Sequence, residues 1–226
     1  TYNTALGFYA LKDLTTGVKN VALGASADGH ALTTGSYNTF VGYEAGSGTT
    51  TSDESVYVGY HAGKNNNAAF SVFMGNGAGE FATGVGSSVA IGRQAMGEAV
   101  TTGYQNVGIG QDALRNNQDG YDNVAVGSST LDAVTSGYEN VGIGVSGGSA
   151  LNTGYQNTLV GGYAGLSTTT GLKNVALGYG ALYTNIDGDA NVAVGWKALF
   201  LLEPASDGYG RNTALGHQAG ASVTTG

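Results

Sequence analysis

A parallel β-solenoid, all-β and built from about 13 coils of about 17 residues, is the fold this sequence predicts. Three observations carry that prediction. A five-residue phrase recurs along the whole chain, as NTALG at 3 and 212, NVALG at 20 and 174, NVGIG at 106 and 140, and NVAVG at 123 and 191. Successive copies step evenly, as from Asn106 to Asn123 to Asn140, with one longer step from Asn191 to Asn212. Such a period is too short for a helical hairpin and suits one solenoid turn. Glycine supplies 41 of 226 residues, and each interior glycine costs a helix about 1 kcal/mol.

Each coil opens on a marker, Asn or its replacement Ser, at Asn3, Asn20, Asn38, Ser55, Ser71, Ser88, Asn106, Asn123, Asn140, Asn157, Asn174, Asn191 and Asn212. Stacked coils repeat at about 4.8 Å, the spacing of hydrogen-bonded strands, so identical side chains line up. The marker column therefore reads as an asparagine ladder. Val or Thr follows the marker, a bulky apolar residue stands two further on, and Gly closes the phrase from Gly7 to Gly216; this is a short strand ending in a turn. A second short strand is expected after the Gly, marked by a small residue such as Ala10, Ala27, Ala45, Ala62, Ala95 or Ala198, with Thr130 and Gly147 as exceptions. A polar returning turn, often TTG or TSG, completes the coil. The array occupies residues 1–226 as a single domain with no linker.

Composition narrows the function classes. The net charge is −8, so the chain lacks the basic patch that nucleic acid requires. No run of 18 apolar residues occurs, so no segment reads as a membrane-spanning helix. Cysteine is absent, which removes disulfides and thiolate metal sites and fits an extracellular fibre held by backbone ladders. The regular apolar columns argue against the low-complexity disorder that a Gly-rich chain otherwise suggests.

The middle residue of the phrase gives the sharpest expectation. Neighbours on a strand face opposite ways. If the two flanking apolar residues point inward, the middle one meets water, yet it is never charged: Ala5, Ala22, Phe40, Tyr57, Phe73, Ala90, Gly108, Ala125, Gly142, Leu159, Ala176, Ala193 and Ala214. A strand dry on both faces has to be covered on both. The middle column is therefore expected to form a homo-oligomer interface, with a bulge where Phe40, Tyr57 and Phe73 fall near the Ser-marked coils.

The phrase, its Gly and the following Ala resemble the head repeats of trimeric autotransporter adhesins, and the longer coil with its ALYTN and TTGYQN flavour is similar to shaft repeats of phage tail fibres and bacterial surface fibres. The likeness covers the whole chain. It implies a left-handed β-roll, a trimer, and a place on a cell or virion surface. The coil here is longer than in the adhesin heads.

No constellation for catalysis is present, so the chain is not expected to be an enzyme and no cofactor is expected. His30, His61 and His217 lie in different coils and share no column. GNGAG at 75 and GYHAGK at 59 lack the spacing of nucleotide-binding loops. The paired carboxylates Asp119 and Asp122, and Asp187 and Asp189, read as solvated turns, since the calcium β-roll repeat is missing. Thr follows the marker in four coils only, which argues against a regular ice-binding array. Two further features stand out. Tyr104, Tyr121, Tyr138 and Tyr155 recur once per coil at an unvarying step and should stack into an aromatic ladder, either stabilising or a glycan-binding strip. The coil after Asn191 carries FLLEPASDGYG with the single proline, expected to protrude and to offer Phe200, Leu201 and Leu202 as a lateral or partner contact.

The leading expectation is thus a structural extracellular fibre or filament segment, adhesive in use, whose partner is itself. The second is a head module that binds a receptor or surface glycan. A copy placed after Gly226 would set its Asn3 as far beyond Asn212 as Asn140 stands beyond Asn123, so the segment is expected to continue in register into a longer stack.

Overall fold

A computed structural model describes residues 2–28, 31–99, 101–203 and 210–225. The chain divides into two compact units, Thr1–Asp112 and Ala113–Gly226. The first carries β1 (Thr4–Leu6), β2 (Val21–Leu23), β3 (Thr39–Val41), β4 (Val56–Val58), β5 (Val72–Met74), β6 (Val89–Ile91) and β7 (Val107–Ile109). The second carries β8 (Val124–Val126), β9 (Val141–Ile143), β10 (Thr158–Val160), β11 (Val175–Leu177), β12 (Val192–Val194) and β13 (Thr213–Leu215). In each unit the strands stack parallel in chain order, and equivalent positions pair, as in Ala22 with Phe40 and Leu159 with Ala176. Each unit is a β-solenoid, as the period predicts.

Among the described residues the coil has one strand of three residues, not two. The expected second strand is a series of turns, and the backbone shows why. Three positions per coil take a left-handed conformation: the residue before the marker, as in Tyr37 and Lys173; the second after the corner Gly, as in His61 and Ser129; and the fourth after it, as in Leu114 and Leu182. Such residues cannot continue a strand, and a non-Gly residue there costs about 1–2 kcal/mol. The gain is that the corners still hydrogen-bond along the stack. His61 N donates to Tyr43 O of the preceding coil at 3.0 Å, Lys173 N to Tyr155 O at 3.0 Å, and Leu182 N to Ala198 O of the following coil at 3.0 Å. Backbone groups that a tight corner would orphan are thereby satisfied by neighbouring coils.

The corner glycine is obligatory on two counts. Gly24 has φ +138°, and a Cβ built on it would stand 2.4 Å from the carbonyl oxygen of Gly42 in the next coil. The same approach recurs at each step within a unit, for example at Gly161 against Gly178.

The marker column is an asparagine ladder. In the second unit, Asn123, Asn140, Asn157 and Asn174 are fully buried. Each Oδ1 accepts the backbone N–H of the next marker at 2.9–3.1 Å. Each Nδ2 donates to a glycine carbonyl that closes its own coil, Gly137, Gly154, Gly171 or Gly188, at 2.8–2.9 Å. Serine does part of this work: Ser71 Oγ donates to Val85 O at 2.6 Å, and Ser88 Oγ accepts the N–H of Asn106 at 3.0 Å. A serine hydroxyl has one proton and cannot make both of the amide's donor bonds, one to the closing glycine carbonyl and one to the preceding marker's Oδ1. Asn140→Ser should therefore lower stability by about 1–2 kcal/mol, measured by urea denaturation; an unchanged midpoint would mean the ladder amides contribute nothing.

The core is a thin column filled by the middle residue of the phrase, the small residue seven after the marker, its neighbour, and a residue near the returning turn, such as Val134, Leu151 or Leu202. Volumes compensate within a coil. Where the middle residue is Phe40, Tyr57 or Phe73, the left-handed core position is Gly46, Gly63 or Gly79; a Cβ there would meet the ring at 2.8, 2.6 or 2.6 Å. Where the middle residue is Ala90, Ala125 or Ala176, the partner is Met96, Leu131 or Leu182.

Candidate functional site

The column predicted to bind other subunits lies inside. Ala22, Phe40, Tyr57, Phe73, Ala90, Ala125, Leu159, Ala176 and Ala193 have no exposed surface, Ala214 is buried, and Gly108 and Gly142 share their inward position. Ala5 stands in β1, whose residues are exposed. Phe40 and Tyr57 approach to 5.3 Å, and Tyr57 and Phe73 stack at 5.2 Å; there is no interface bulge, because glycine opposite each ring makes the room. Asn66 Nδ2 donates to the buried Tyr57 hydroxyl at 3.0 Å. Burial pushes the Tyr57 phenol up from its ordinary value, so it stays a neutral partner. An Asp at Ala125 or Ala176 would put a charge in the core and unfold its coil rather than split an assembly.

The sequence holds the signal that places this column. Strand neighbours alternate, so the marker and the residue two beyond it share a face. A ladder of buried Asn obliges the middle residue to point inward with it. The Val or Thr after the marker and the bulky apolar residue before Gly must then point outward. They do: the strands from β2 to β12 show half-buried or exposed residues on either side of a buried one. Met74, Ile143 and Leu177 are exposed to 40, 40 and 36 %. The outward strip of each unit is uncharged and almost wholly apolar.

The tyrosine column forms a ladder within the second unit. Tyr121 and Tyr138 stack at 4.9 Å and Tyr138 and Tyr155 at 4.7 Å, with planes within 6°; all three are half-buried. Tyr104 belongs to the first unit and is exposed. A further aromatic file, absent from the sequence reading, follows the corner glycine. Tyr43 and Tyr60 stack at 5.6 Å, and Trp196 and His217 at 4.8 Å. Its signal was an aromatic directly after the phrase, as in Phe8, Tyr43, Tyr60, Tyr179 and Trp196.

The apolar run of the last long coil is only partly a surface. Leu202 is fully buried, in the core column that holds Leu151 and Val134. Phe200 is half-buried, stacked on Tyr183 at 4.8 Å with Lys197 Nζ 4.8 Å from its ring. Leu201 alone is exposed. Leu201 and Glu203 bond to Ala221 and Thr224 of the next coil, so the run is regular coil and the inserted residues come after it. Residues 204–209, expected to protrude, lie outside the described residues, as does His30.

His61 is not a bare surface residue. Its Nε2 stands 3.1 Å from Glu44 and its Nδ1 2.7 Å from Glu80, which ties three successive coils together. Lys64 pairs with Glu44 at 2.6 Å; that contact holds the Glu44 carboxyl below and the Lys64 ammonium above their usual ranges. In the acidic turns, Asp189 accepts the Leu172 N–H at 2.9 Å, and Glu203 accepts that of Ile186 at 3.0 Å. Among the described residues no three His, Asp or Glu side chains converge as metal ligands, and no pocket opens. The described surface of each unit offers strips and ladders.

No protein-family model, curated protein or solved structure matches this chain.

Proposed function

We propose that this chain is a structural segment of a fibre or filament that assembles with copies of itself through the outward strip of its strands. The outward-facing, charge-free rows of half-buried Val and Thr, and of half-buried or exposed Leu, Ile, Val and Met, carry this reading. A contiguous apolar surface of this kind marks an interaction site. A second copy is its natural partner, because an identical coil spacing lets the ridges of one strip fall between those of another. The resemblance to adhesin heads and fibre shafts favours three copies and an extracellular, cell-surface or virion-surface setting, and a rod of this sort acts by length, stiffness and repeated presentation of its turns.

The test is the mass in solution. Ile143→Asp with Leu177→Asp is expected to reduce the particle in light scattering to a single chain while its circular dichroism stays unchanged. Variants that keep the wild-type mass, or a wild-type protein that is itself a single chain, would refute the reading. Binding of a surface glycan is a second reading, favoured by the half-exposed Tyr121–Tyr138–Tyr155 ladder and by Tyr179 and Trp196. A glycan array would show one selective sugar, lost in Tyr138→Ala; uniform silence would rule it out.

A further inference from the structure

One titratable group sits where none is needed for the fold. Asp28 occupies the left-handed core position of the second coil, in the column that elsewhere holds Leu11, Gly46, Leu114 and Leu131. It is fully buried. One carboxyl oxygen lies 3.0 Å from Thr49 Oγ1; the other, Oδ2, has no side-chain hydrogen-bond partner among the described residues.

The hydroxyl of Thr49 bears on where the proton is. Its oxygen also lies 2.8 Å from the Gly46 carbonyl. A hydroxyl has one proton, and a carbonyl can only accept. If Thr49 donates to Gly46, the contact to Asp28 is a hydrogen bond only when the carboxyl carries its own proton and donates to Oγ1. An ionised Asp28 would compete with Gly46 for that proton and leave one contact repulsive. The geometry points to Asp28 as a proton-operated lock within the first unit: as the neutral acid it links the second coil to the third, and on losing its proton it loosens them.

Desolvation agrees: it is the largest influence and raises the acid to about 8, outweighing the lowering influence of Thr49 and of the Leu32 backbone. Among the described residues the charged or titratable groups that act on it are Asp13, from the first coil, and Tyr57, from the fourth; neither supplies a positive charge. The folded chain thus keeps a proton that an unfolded chain releases near 3.8. The contribution to stability is complete below that pH and drains away as the pH rises toward about 8, with the unfolding equilibrium constant growing up to about tenfold per pH unit.

Two measurements on the full chain test the lock. In wild-type protein the carboxyl carbon of Asp28, followed by NMR, should titrate near 8; a midpoint at the ordinary carboxylate value would overturn the proposal. Asp28→Asn keeps the shape and lets the amide donate to Thr49 at every pH. Amide exchange at Asp28 and Gly46, corrected for intrinsic rates, should accelerate at least about a hundredfold between about pH 5 and 8.5 in wild type relative to the variant. Parallel profiles would overturn the proposal, and if the variant fails to fold, the wild-type titration still decides.

Discussion

Gly161→Ala is expected to destabilise the second unit by at least about 3 kcal/mol, whereas Gly162→Ala, one residue on, costs under about 1 kcal/mol. Gly161 has φ +129°, and a Cβ there would lie 2.6 Å from both the carbonyl carbon and oxygen of Gly178. Backbone cannot step aside as a side chain can, because Gly178 N is itself bonded to Val160 O at 2.8 Å. The dihedral alone costs about 1–3 kcal/mol for a residue with a side chain, and the overlap adds about as much. A Cβ on Gly162 meets the edge of the Tyr179 ring at 3.4 Å and the Val145 carbonyl oxygen at 4.0 Å, both ordinary contacts, with no unfavourable φ. Urea denaturation of the two variants makes the comparison. Equal losses would show that the corner tolerates a wider stacking distance than the coils display.

Phe73→Ala should cost about 3–5 kcal/mol on its own, because the ring is fully buried and fills the fifth coil. Gly79→Leu should also destabilise, since its Cβ would lie 2.6 Å from the Phe73 ring. Together they should recover at least about 2 kcal/mol of the summed loss, a coupling expected of residues that share one space. The double variant reproduces the Ala–Leu pairing of Ala125 with Leu131 and of Ala176 with Leu182, and Leu accepts the left-handed backbone at both places. Denaturation midpoints of the two single variants and the double close the cycle. Additive losses would mean that the two positions do not trade volume.

The period, the strand, the Gly corner and the asparagine ladder were all legible in residue order. Each is a rule applied separately at every coil, and the stack repeats it. A carbonyl 2.4 Å from the Cβ a corner would carry leaves Gly as the only residue, so Gly appears each time. The tyrosine ladder was legible for the same reason within the second unit, since equal spacing along the chain becomes stacking in space.

Which face of the strand looks inward was not legible from hydrophobicity, because both faces are apolar. Val124 and Val126 flank Ala125 with more apolar surface than it has, yet Ala125 is buried and they are not. The tertiary structure decides this through the marker: Asn123 must bury its amide to reach Gly137 and the next marker, and strand alternation carries Ala125 in with it. The left-handed corners were equally hidden, since Lys173 and Leu182 bear no local preference for that conformation. Only the neighbouring coil, by taking up their backbone hydrogen bonds, makes it the better choice. By itself the sequence determined the repeat, its length and the residues that recur. The stack decided which of them meet water, because a coil this thin has room inside for one strand side chain beside each asparagine.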